Sequence, residues 1–147
     1  PSASAQVVNP IAEYASADEL EQAVGIYLAV PSDATDVVYS SIDSSIAQVS
    51  FMLDGVDVSY RAEFTSAYED ISGMYYTWTN SEEFVDRYGC TNYMRYNVDE
   101  AAAIGLYYDV NGASYSVSMT GSSLSHDDIM SVYQKISDAD AASDRTM

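Results

Sequence analysis

Positive charge is scarce in this chain of 147 residues. Five Lys and Arg stand against 23 Asp and Glu, leaving a formal net charge of −18. That balance argues against nucleic-acid binding, because phosphate recognition needs a basic footprint. It equally opposes docking on anionic lipid headgroups. Two readings of the acidic surface stand: a solvated coat that resists aggregation, or a docking surface for cations or a basic partner.

Cysteine and histidine occur once each, as Cys90 and His126. A single cysteine forms no intramolecular disulfide, so cysteine usage does not decide the compartment. Arg95 is the only base shortly after Cys90, which leaves little to activate the thiol. Clusters of Cys and His that would hold zinc are absent. A His-dependent site must use His126. That residue follows Ser125 in the first turn of a predicted helix, where the helix dipole disfavours an imidazolium. Ser125, His126, Asp127 and Asp128 share one turn and therefore do not point into a triad.

Long apolar runs are missing as well. The longest, Ala23 to Val30, is interrupted by Gly25 and falls well short of the ~20 residues needed to span a bilayer. No Gly-rich phosphate loop occurs. Adjacent acids at Glu82-Glu83, Asp99-Glu100 and Asp127-Asp128 splay apart, whereas a glycosidase needs two carboxylates facing across a cleft. Asp138, Asp140 and Asp144 alternate as in a calcium loop but lack its central Gly and closing Glu. No metal and no cofactor is expected. The start at Pro1 rather than Met raises the expectation of a removed leader segment.

What the chain does have is a core's worth of apolar residues, at 48%, and 14 tyrosines. Residues 1–8 read as a tether, 9–137 as one domain, and 138–147 as a flexible acidic tail. Ser16 with Glu19 forms a capping box for a first helix, and Leu20, Ala23 and Val24 share one face of it. Ser125 caps a second, in which Ile129, Val132, Tyr133 and Ile136 make an apolar stripe.

Two hairpins are expected at Asp54-Gly55 and Asn111-Gly112, both favoured type I′ pairs. The first pairs Leu53 with Val56, Phe51 with Val58, Val49 with Tyr60 and Ala47 with Ala62 on one apolar face. The second, read with a two-residue loop, pairs Val110 with Ala113, Tyr108 with Tyr115, Leu106 with Val117 and Ile104 with Met119. Further strands are expected at 37–42, 74–79 and 91–98, and a short helix at 81–87. The fold expected is α+β. It has an antiparallel sheet of six to seven strands built from hairpins, with an N-terminal and a C-terminal helix packed on one face.

Several segments occur in an order that resembles a known family. They are Asn9-Pro10, Ser16 through Gly25, Ile46-Ala47-Gln48-Val49-Ser50-Phe51, Tyr60-Arg61, Asp70-Ile71-Ser72-Gly73 and Tyr115-Ser116-Val117-Ser118. The chain resembles small uncharacterised exported lipoproteins of Gram-positive bacteria that carry a domain of unknown function. The likeness covers roughly residues 9–137 and departs from the pattern between Asn80 and Asp99. It implies an extracytoplasmic location, secreted or held to the outer face of the membrane, with an N-terminal lipid anchor in the precursor. It supplies no catalytic residues.

Within that motif a structural role is expected, with Arg61 pairing Asp70 while Ser72 and Gly73 make a turn. The aromatics carry the remaining signal. Tyr75, Tyr76 and Trp78, with Tyr93 nearby, form a candidate recognition surface, since Tyr and Trp offer large contact area at small entropic cost. The expected function is a non-enzymatic envelope domain that binds an extracellular ligand or protein. The alternatives are a purely structural envelope module and a carboxylate-dependent hydrolase.

Overall fold

The computed structural model describes residues 11–74, 76–86, 89–109 and 111–142. The tether at 1–8, the end of the acidic tail, Tyr75 and Val110 lie outside the described residues. In chain order the elements are β1 (Ile11–Tyr14), α1 (Ala17–Val24), β2 (Thr35–Ile42), β3 (Ile46–Leu53), β4 (Val56–Phe64), β5 (Asn80–Val85), β6 (Thr91–Asn97), β7 (Ala102–Tyr108), β8 (Ala113–Thr120) and α2 (His126–Ala142). They form one antiparallel sheet of eight strands with two helices, an α+β arrangement, where six to seven strands were expected.

The strand order is β1-β2-β3-β4-β8-β7-β6-β5. The chain builds one half outward-in as far as β4, then crosses to the far edge and meanders back until β8 closes on β4.

Both helices start as their caps dictate. The Ser16 hydroxyl accepts from the Glu19 amide at 3.2 Å, and Gly25 ends α1 at φ 93°. At α2 the capping is reciprocal. The Asp128 amide donates to the Ser125 hydroxyl at 3.1 Å, and the Ser125 amide donates to the Asp128 carboxylate at 3.0 Å. Leu20 of α1 and Ile129, Val132, Tyr133 and Ile136 of α2 share one buried cluster with the inner residues of the sheet.

The β3–β4 hairpin has the expected register throughout, from Leu53↔Val56 to Ala47↔Ala62. Asp54 and Gly55 both have positive φ, as a type I′ turn requires. The β7–β8 hairpin is offset by one residue from the expectation. Tyr107 meets Tyr115, Gly105 meets Val117 and Ala103 meets Met119. The loop is one residue longer than expected, with Gly112 at φ 88° and the Asp109 amide donating to the Ala113 carbonyl. That is a three-residue hairpin loop with Gly in the left-handed position.

The offset turns Ile104 and Leu106 to the face away from the helices, where they pair with Ser118 and Ser116. It is tolerated because that face is covered too. It also places Gly105 under α2, where a Cβ would come within 2.3 Å of the Tyr133 ring.

Two further expectations are corrected. The described residues of 81–87 do not make a helix; β5 occupies the sheet edge, paired with β6 from Asn80↔Tyr96 to Val85↔Thr91. The described residues of 74–79 are not a strand. They finish the crossover from β4 to β5, which runs over the second face of the sheet. Among the described residues no helix is long and apolar enough to cross a membrane.

Candidate functional site

The crossover, residues 65–79, carries most of the candidate residues and is tied to the sheet along its length. At its start the Thr65 hydroxyl lies 2.6 Å from that of Ser114, which also accepts from the Glu69 amide at 3.0 Å. Midway, the Arg61 guanidinium donates to the Ile71 carbonyl at 3.2 Å and to Gln48 Oε1 at 2.7 Å. The Asp70 carboxylate therefore does not serve Arg61 as expected. It lies 3.8 Å from the Arg95 guanidinium and accepts from the Ser72 amide at 2.9 Å, an Asx turn. The Ser72 hydroxyl accepts from the Met74 amide. Gly73, at φ 73°, sits so close to Arg61 that a Cβ would lie 2.9 Å from Nη1. Arg61, Asp70, Ser72 and Gly73 thus form one anchoring unit, joined through the backbone rather than by the expected ion pair.

At its end the crossover is clamped by Asn97, which is only 3% exposed. Asn97 Oδ1 accepts from the Thr79 amide at 2.6 Å and the Thr79 hydroxyl at 2.8 Å. Its Nδ2 donates to the Thr77 carbonyl at 2.9 Å and to Glu100 Oε1 at 2.5 Å. Every donor and acceptor of the amide is used. The clamp fixes the backbone on either side of Trp78.

Tyr76 and Trp78 stack on each other, with ring centroids 5.0 Å apart and planes at 28°. Tyr76 remains 38% exposed, and Trp78 is half-buried. Tyr93, on β6, packs against Tyr68 of the crossover at 5.1 Å. The structure thus separates Tyr93 from the Tyr76–Trp78 pair and gives it Tyr68 as partner.

A pocket of about 330 Å³ lies at the end of the crossover, lined by Thr79, Asn80, Asn97, Val98, Asp99 and Glu100. Its first lining residue follows Trp78 directly. Val98 adds an exposed apolar side chain, and both charged lining residues are acids.

The other singled-out groups lie elsewhere. His126 Nε2 is 2.7 Å from Glu82 Oε1 and its ring packs on Tyr96, so it links α2 to the edge strand. Burial pushes the Cys90 thiol above its usual range, and Asp86, Asp109 and Asp140 push it further, as suits an inert cysteine. Partial burial raises the Glu63 carboxyl, with Glu69 adding repulsion and the Ser45 hydroxyl opposing.

Much of the tyrosine surplus serves the core. The Tyr60 and Tyr107 hydroxyls meet at 3.0 Å, Tyr107 lies flat on Tyr115 at 4.6 Å, and Tyr133 donates to Asn92 at 2.5 Å. Burial, ahead of all other causes, holds these phenols well above the ordinary range.

Two contributors were not singled out from sequence. Tyr68 is one more Tyr in a Tyr-rich chain. Asn97 was read as a strand residue, and only the partners brought to it in space reveal the clamp. No family model, curated protein or solved structure matches the chain.

Proposed function

We propose that this chain is an extracytoplasmic, cell-envelope-associated binding domain without enzymatic activity, whose recognition surface is the Tyr76–Trp78 shelf and the pocket beside it. The observation that carries this reading is the Asn97 clamp. A buried amide with all its hydrogen bonds made holds a stacked aromatic pair at the surface. Preorganised aromatic area of this kind gains affinity because little side-chain entropy remains to be lost on binding. The pocket beside the clamped residues favours this reading over a purely structural module. The extracytoplasmic location and the lipid anchor rest on the resemblance of residues 9–137 to exported lipoproteins.

The test is a thermal melt of the chain against neutral oligosaccharides, cell-wall fragments and peptides. A ligand at 100 times its dissociation constant adds ~2.7 kcal/mol, which raises the midpoint of a domain this size by roughly 5–10 °C. The shift should vanish in Trp78→Ala. A flat panel with a cooperative melt, or a shift that Trp78→Ala leaves intact, would sink the assignment of the shelf.

A further inference from the structure

The proposed shelf does not by itself say what chemistry it receives, but its surroundings do. The pocket is lined by two carboxylates, Asp99 and Glu100, and by no base. Glu100 already accepts from Asn97, while the amides of Asn80 and Asn97 are engaged with Tyr96, Thr79, Thr77 and Glu100. What the pocket has left to offer is negative charge and acceptor oxygen, with the Val98 side chain among its walls. A cation on a short apolar stem fits that set: the stem lies along Val98, and the ammonium meets carboxylate.

The pocket also lies where β5 begins. Asn80 belongs both to the pocket lining and to this edge strand, whose outer side pairs with no strand among the described residues. Glu82 and Glu83 follow on its two faces, both exposed. An acidic edge repels a second copy of a chain at −18 and attracts a basic one.

We infer that the shelf and the β5 edge receive an extended basic peptide, with one lysine side chain seated in the Thr79–Glu100 pocket. This rests on the shelf being the binding surface. Strand addition supplies the backbone contacts, and the pocket selects the side chain.

Trp78 is the only tryptophan, so its emission reports on the shelf without background from a second indole. The probe is a hexapeptide alternating lysine and serine, titrated at 0.15 M salt, where charges beyond ~8 Å are largely screened. The expected result is a saturable change in emission that the same peptide with acetylated lysines fails to produce. In D99N/E100Q the affinity should fall by about tenfold or more, as lost charge-assisted contacts imply. Gln keeps an acceptor for Asn97, so the clamp survives the change. The control is D36N/D43N, which removes the same two charges from exposed positions around β2 and should change affinity less than about twofold.

Equal weakening in both double variants would show diffuse attraction and overturn the proposal, as would free spermidine binding as tightly as the peptide. A neutral oligosaccharide that alters Trp78 emission while the lysine peptide does not would overturn the ligand class but leave the shelf standing. Peptide binding unaffected by Trp78→Ala, followed by the rise in melting midpoint because that variant has no indole to report, would remove the shelf itself.

Discussion

Replacing Gly105 by Ala tests the packing that sets the β7–β8 register. The new Cβ would lie 2.3 Å from Tyr133 Cε1, 2.8 Å from Cδ1 and 2.9 Å from Cζ. The ring cannot swing aside freely. Its hydroxyl donates to buried Asn92 at 2.5 Å, and Phe84 meets its face edge-on at 6.1 Å. Overpacking of this kind costs ~1–3 kcal/mol, and straining the Asn92 hydrogen bond costs ~1 kcal/mol more. Replacing Gly returns ~0.5–1 kcal/mol through the unfolded chain. The balance is a loss of ~1–3.5 kcal/mol, or a midpoint lower by roughly 3–12 °C. Urea melts followed by circular dichroism would measure it. Tyr133→Leu supplies the second arm: with the ring gone, Ala at 105 should cost under ~0.5 kcal/mol, leaving a coupling of ~2 kcal/mol in the double-mutant cycle. A neutral Gly105→Ala, or a cost unchanged in the Tyr133→Leu background, would refute the argument.

Asn97→Ala should destabilise the chain by ~2 kcal/mol, because the Thr79 amide and Thr77 carbonyl lose their partner; urea melts check this, and Trp78 emission should shift to the red as the shelf loosens. Acid should weaken the fold below about pH 4. The backbone N–H of Ser125 holds the Asp128 carboxyl below its usual range, and Lys135 does so for Asp33. A depressed folded pKa gives stability that is present above the unfolded value and lost as pH falls through the folded one. Asp128→Asn should therefore flatten the dependence of midpoint on pH between 5 and 2, and an unchanged slope would contradict it. Glu63, raised by burial and Glu69, has the opposite sign, so Glu63→Gln should raise the midpoint at neutral pH and lose that advantage in acid.

The two hairpins show where sequence suffices and where it does not. Around Asp54-Gly55 the residues alternate cleanly between apolar and polar, so turn and pattern specify one register. Strand β7 is different: Ala102, Ala103, Ile104, Gly105 and Leu106 are all buried. A strand covered on both faces has no polar side to mark its phase, and either register satisfies hydrophobicity. The choice falls to a loop one residue longer and to the ring of Tyr133.

Glu82 and Glu83 suggested a helix start, but pairing with β6 overrode that local preference. The shelf was half legible: Tyr76 and Trp78 stood out by type, whereas the amide that secures them is invisible until 77, 79, 97 and 100 meet.

The strand order has a consequence for how the sheet is assembled. Strands β1 to β4 are each laid beside their predecessor, and so are β5 to β8; only the β4–β8 seam joins the halves. Each half is a local meander whose contacts form early, while the seam waits for the chain to return from the far edge. Until then β4 and β8 are both bare edges, each with an apolar face that the finished sheet buries. A gene divided between β4 and β5 would yield two co-expressed half-sheets made to complement each other.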